Sequence, residues 1–188
     1  MISKISKTAA KARIYRRIHK WVSLVFVFFL MVIGITAILL AWKKEMGLIP
    51  KTQSTKVENP TKWIPLEKMI EIGRTYAKDS LGKSDLIDRV DVRPEKGIAK
   101  IVFKRHFTEI QVDGHSGEIL SVSQRNSDLI EKIHDGSIFD FLIVSDAGIS
   151  KITYSTLTST GLLFLCFTGF FLWYLPKIMK KFKKRPET

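Results

Sequence analysis

Two uninterrupted apolar stretches set the pattern of the chain. From Trp21 to Trp42 the run WVSLVFVFFLMVIGITAILLAW is apolar apart from Ser23 and Thr36, and from Tyr154 to Pro176 the run YSTLTSTGLLFLCFTGFFLWYLP carries no charge either. Each is long enough to cross a hydrocarbon core of about 30 Å, so residues 21–42 and 154–176 are predicted to be transmembrane helices. Trp21, Trp42, Trp173 and Tyr174 stand at the span ends, where aromatic rings prefer the interface. Both runs exceed the roughly 7–15 residue core of a cleaved signal peptide, and no A-x-A-like site follows the first, which therefore reads as a retained anchor.

Between the spans the pattern changes to short periods. Residues 43–64 read as a polar linker, marked by Pro50 and Asn59-Pro60. Leu66, Met69, Ile70, Ile72, Gly73 and Ala77 recur at near-helical spacing and predict an amphipathic helix ending near Gly82. Alternation through Ile87, Val90 and Val92, then Ile98, Ile101 and Phe103, then Phe107, Ile110 and Val112, predicts three strands. GEILSVSQ supplies a fourth after the turn at Asp113–Gly117. Residues 65–125 thus form a small α+β domain, one helix laid on an antiparallel sheet. In 126–153, Ser127 or Asp128 can cap a helix with Leu129, Ile130, Ile133 and His134 on one face. Ile138–Val144 is too apolar for an exposed loop and too short to span, and is expected on the membrane surface.

Charge sharpens the topology and removes a partner. The net charge of +13 is concentrated in the tails: residues 1–20 hold seven Lys or Arg and no acid, and residues 176–188 hold six against Glu187. Residues 43–153 are nearly neutral, with eighteen basic and seventeen acidic side chains. Flanking Lys and Arg resist translocation, so both tails (1–20 and 177–188) are expected in the cytoplasm and the domain on the far side. The partner implied by the tails is membrane lipid, with no nucleic acid.

Candidate chemistry rests on few residues. Cys166, the single cysteine, lies inside the second span, which leaves the outer domain without a disulfide or thiolate site. Of four histidines, His106 and His115 belong to a strand edge and a turn, where a solvated histidine is the default. His19 stands at the cytoplasmic mouth of the first span and His134 beside the outer membrane surface. A histidine in such a place is costly without a partner, which favours function. The alternatives are an interfacial polar residue continuing the basic tail for His19, and a helix-end histidine satisfied by Asp135 or backbone for His134. No Ser/His/Asp or Cys/His constellation, metal-ligand spacing, or flavin or nicotinamide fingerprint is present, which argues against hydrolase chemistry and leaves any electron donor to another molecule.

The order Arg-Arg-Ile-His-Lys-Trp at 16–21, VDGHSGEIL in the domain, IHDGSIFD, and TGFFLWYLPK closing the second span resembles the PepSY-associated transmembrane family. The resemblance implies a bacterial inner (cytoplasmic) membrane protein with a PepSY-like extracytoplasmic domain. Larger relatives have four spans and include siderophore-iron reductases that hold haem between their helices, so this chain looks like half of one. Haem b bound by His19 and His134 as axial ligands is then the expected cofactor, since neutral imidazole binds haem iron. A homodimer, a membrane four-helix bundle, would supply two histidines at each face. Gly34, Gly161 and Gly169 are candidate positions for a macrocycle to press on a backbone, or equally for close helix approach. Arg16 and Arg17 are placed to pair with haem propionates or with lipid phosphate.

The function expected on this reading is haem-dependent electron transfer to an extracytoplasmic acceptor, ferric iron or a ferric chelate, as an oxidoreductase of iron acquisition. The alternatives are a non-enzymatic anchored regulator binding a peptidase, as soluble PepSY domains do, and an accessory subunit of a transporter.

Overall fold

The computed structural model describes residues 2–57, 62–143 and 148–183. Asn59-Pro60 of the linker, Val144 and Asp146-Ala147 before the second span, and the last five residues lie outside them. The chain divides into two compact units, residues 1–37 with 132–188, and residues 38–131.

The first unit is built on two long helices, α1 (Ile2–Ala41) and α5 (Ile149–Lys183). α1 begins far ahead of Trp21, because apolarity marks the membrane and not the helix: the Lys-, Ala- and Arg-rich tail consists of good helix formers and continues the same rod. The segments Ala9–Ala41 and Ile149–Lys181 are long and apolar enough to cross a membrane. Within the unit α1 and α5 run antiparallel. Tyr15 stacks on Phe171 with ring centroids 5.5 Å apart, and Phe29 meets Tyr154 edge-on at 6.0 Å. The shielded positions recur every three or four residues, as in Ala12, Tyr15, His19, Val22 and Phe26 on α1 and Thr158, Gly161, Leu165, Thr168 and Leu172 on α5. Such spacing is the seam of a left-handed helix pair. At its middle a Cβ on Gly161 would overlap the Phe26 ring, so this glycine serves close helix approach.

The same unit holds the end of α3 (Asn126–Asp135), α4 (Ile138–Leu142) and the start of α5. Gly136, at φ +78°, turns the chain against Tyr154 where no side chain fits. Asp135 accepts from the Ser137 backbone N–H (2.9 Å) and hydroxyl (2.7 Å), and pairs with Lys151 Nζ at 2.8 Å. Buried Asp140 accepts from the backbone N–H of Ser150 and Lys151, both at 3.3 Å, satisfying two orphan donors in the first turn of α5. Phe139, Leu142 and Ile143 remain exposed along α4 and its end.

The second unit is the α+β domain. β1 (Ile87–Arg93), β2 (Ile98–Phe103), β3 (Thr108–Asp113) and β4 (Ile119–Gln124) form an antiparallel sheet in the order β1-β2-β3-β4. One face packs under α2 (Leu66–Thr75) and the π-helical turn Tyr76–Ser80 that prolongs it, with a core of Met69, Ala77, Ala99, Ile101, Phe103, Ile110 and Val112. The helical stretch ends before Gly82 at φ +61°, as the periodicity predicts. The opposite face is polar yet buried, which the sequence reading did not anticipate. Lys100, Glu109, Gln111 and Asp113 are at most 4 % exposed.

What buries it is the segment read as a linker. Residues 48–57 run across this face and exchange hydrogen bonds with it. The Gln111 side chain accepts from the Gln53 N–H (2.8 Å) and donates to the Lys51 carbonyl (2.9 Å). Asp113 accepts from the Lys56 N–H at 3.3 Å, and the Thr55 N–H donates to the Lys96 carbonyl at 2.8 Å. Backbone groups left over from regular structure need partners, and here side chains of the sheet provide them. Glu109, at 0 % exposure, accepts from Gln111 Nε2 (2.7 Å), lies 3.3 Å from Lys100 Nζ and pairs with Arg125. Arg125 and Arg89 in turn hold Asp128. The expected capping position thus belongs to the ion network: the helix begins one residue earlier, at Asn126.

Candidate functional site

The two histidines expected at the membrane faces are both fixed inside the first unit, and by the same kind of neighbour. His19, on the α1 seam, has Nδ1 2.7 Å from the hydroxyl of Thr168 on α5. His134, near the end of α3, has Nδ1 2.9 Å from the hydroxyl of Thr36 on α1. Both threonines are buried, at 7 % exposure for Thr36 and 3 % for Thr168. Thr36 lies 17 residues beyond His19 on one helix, so the two imidazole levels are about 25 Å apart along α1. Asp135, the alternative partner considered for His134, is occupied by Ser137 and Lys151.

The second nitrogen distinguishes these rings from His106. Nε2 of His19 and of His134 takes no hydrogen bond among the described residues. No buried side-chain nitrogen or oxygen there lacks a partner, so these two atoms lie at the surface of their unit. His106, by contrast, uses both nitrogens, Nδ1 beside the Thr108 hydroxyl at 2.7 Å and Nε2 beside the Ser84 carbonyl at 2.9 Å. His115 has Nδ1 3.1 Å from the Lys62 carbonyl and its ring edge-on to Trp63 at 5.6 Å, and like His19 and His134 it has no hydrogen bond at Nε2 among the described residues, but it belongs to the sheet domain. Both are half-buried and serve the domain's turns.

The remaining candidates fall in different places. Gly169 lies beside His19: a Cβ there would stand 3.6 Å from the imidazole Cε1, so the glycine leaves the flank of the ring open. Gly161 faces Phe26, as described. Gly34 has nothing within 4 Å of where a Cβ would be, and as it lies two residues from Thr36, about 200° round the helix, it is away from the His134 contact. Arg16 and Arg17 are exposed; Arg16, three residues before His19, shares its side of the helix. No group of three or more His, Cys, Asp or Glu side chains able to hold a metal occurs among the described residues. Thr36 and Thr168 were not singled out by the sequence reading. Their only signal is polarity within an apolar run at the spacing of the seam.

The family model for the PepSY-associated TM region matches residues 16–188, and the chain belongs to that family. It is a membrane protein whose two apolar helices flank an α+β domain. No curated protein and no solved structure gives a match.

Proposed function

We propose, with that family membership as the premise, that the protein is a haem-dependent transmembrane electron carrier that reduces an extracytoplasmic acceptor, ferric iron or a ferric chelate. One observation carries the reading: two imidazoles at levels about 25 Å apart, each held through Nδ1 by a threonine of a membrane-length helix and each with no hydrogen bond at Nε2 among the described residues. An unpartnered ring nitrogen at membrane depth is costly, so a partner from outside the chain is called for. The donor set fits haem iron, which takes imidazole nitrogen. Each chain offers one such nitrogen per level, so a homodimer completes the pair, with the same residue from both copies. When bound, haem b supplies one-electron redox chemistry. The chain's own residues do the rest: His19 and His134 ligate, Gly169 keeps the flank of one ring clear, Arg16 and Arg17 offer charge for acidic groups near the His19 end, and the apolar helices exclude water.

The Lys and Arg asymmetry supports placing both termini in the cytoplasm and the sheet domain in the periplasm of a bacterial inner membrane. A reporter active only outside the cytoplasm should work near Gly82 and fail after Thr188.

The decisive measurement is an absorption spectrum of the detergent-purified protein after haem-replete expression. Soret and α bands that sharpen on reduction are expected, at a mass corresponding to a dimer. His19→Ala and His134→Ala should each lose about half the haem and nearly all delivery of electrons to external ferric iron. His106→Ala and His115→Ala should keep both. A haem-free protein, or full haem and activity in the His19 and His134 variants, would overturn the reading in favour of an anchored regulator or accessory subunit.

A further inference from the structure

The two histidine contacts share a third member. The Thr36 hydroxyl lies 2.7 Å from the Val32 carbonyl and 3.1 Å from the Ile33 carbonyl; the Thr168 hydroxyl lies 2.9 Å from the Phe164 carbonyl and 3.2 Å from the Leu165 carbonyl. A hydroxyl owns one hydrogen and a carbonyl owns none, so an oxygen–oxygen separation of that length places the hydroxyl hydrogen on the helix carbonyl. The threonine oxygen then has only lone pairs to offer the imidazole, and the hydrogen of the histidine contact belongs to Nδ1.

We infer that Thr36 and Thr168 are positioning residues that lock His134 and His19 in the Nδ1–H tautomer and so hold Nε2 as the lone-pair nitrogen. Two different helices, at opposite ends of the unit, carry the same arrangement of helix carbonyl, threonine hydroxyl and imidazole. Thr158 provides an internal contrast. It makes the same back-bond, 2.7 Å to the Tyr154 carbonyl, and is 5 % exposed, but meets no histidine. The back-bond alone is ordinary for threonine in a helix; the imidazole seated on it at Thr36 and Thr168 makes the device. The tautomer follows from hydrogen bonding within the chain, while its use in ligating iron rests on the haem reading above. There the accepting hydroxyl would orient the ring and raise its basicity, as an outer hydrogen-bond partner does for a metal-bound imidazole.

The test uses the full chain, expressed without haem and with nitrogen-15 histidine, in detergent. Wild-type protein should show a protonated Nδ1 and an unprotonated Nε2 for His19 and His134. Thr168→Val should abolish that signature for His19 alone and Thr36→Val for His134 alone. Both should be restored by the Thr→Ser changes, and Thr158→Val should alter neither. A wild-type protein with the hydrogen on Nε2, or valine variants with unchanged ring signals, would overturn the assignment. In haem-loaded protein each valine variant should weaken haem retention at its own level about 10- to 100-fold and move that centre's midpoint potential upward, with serine restoring both. Unchanged retention and potential would overturn the ligand role and leave the tautomer standing. A complete failure of wild-type protein to bind haem would sink the functional reading without touching the tautomer result.

Discussion

The two units treat buried polar groups in opposite ways. In the sheet domain a carboxylate at 0 % exposure, Glu109, is enclosed by Lys100, Gln111 and Arg125, and the network runs on through Asp128 to Arg89. Every member finds its partner within the unit. In the helical unit two imidazoles are each held at Nδ1 by a threonine and have no hydrogen bond at Nε2 among the described residues. A closed network needs nothing further and specifies a fold; an open one in an apolar setting calls for an external partner. Burial of polar groups therefore does not by itself mark a functional site.

The largest effect should come from opening the closed network. Glu109→Ala leaves Lys100 as a buried cation without its carboxylate and Arg125 with Asp128 alone, a loss of about 3–5 kcal/mol. Thermal melting of the sheet signal should fall steeply, and a wild-type melting temperature would mean that the network contributes little. Next comes the turn that seats His134. Gly136→Ala forces a side chain into a positive-φ residue against Tyr154, at a cost of about 1–3 kcal/mol. Its sharper readout is specific loosening of the His134 contact, seen as a changed His134 ring signal with that of His19 unchanged; equal change at both would mean a general collapse of the unit.

The smallest effect is a pH dependence in the closed network. Burial works to raise the pKa of Asp128, but the hydrogen bond from Arg89 and the charges of Arg125 and Arg89 outweigh it and hold the carboxyl below its usual range. A folded-state value below the unfolded one of about 3.9 contributes stability that is fully present above that pH and is lost as pH falls through the lowered value. Asp128→Asn should melt below wild type at neutral pH, and the gap should close on acidification below about pH 3. A gap that stays constant with pH would show that the carboxylate charge is not what stabilises.

The hydrophobic pattern was enough to locate both spans, the helix under the sheet and all four strands, because each buries a face with its own period. His19 and His134 could be named as candidates from their places in the sequence. Their threonine partners could not, since Thr168 lies 149 residues from His19 and Thr36 lies 98 from His134, and sequence spacing carries no information about such contacts. Nor could the polar face of the sheet be foreseen. Lys100, Glu109 and Gln111 look like the solvent side of half-buried strands, and become interior only because a stretch without periodicity folds over them.

That stretch decides where the protein can be cut. Read as a tether, residues 43–64 invite a soluble fragment starting at Pro65. Such a fragment would strip the backbone partners from both ends of the Gln111 amide and one from Asp113, and would open the ion network to solvent. A fragment meant for crystallisation or antibody selection has to carry the chain from Lys43 onward. In the intact protein, protease sensitivity between Leu48 and Val57 becomes a local gauge of whether the domain is closed.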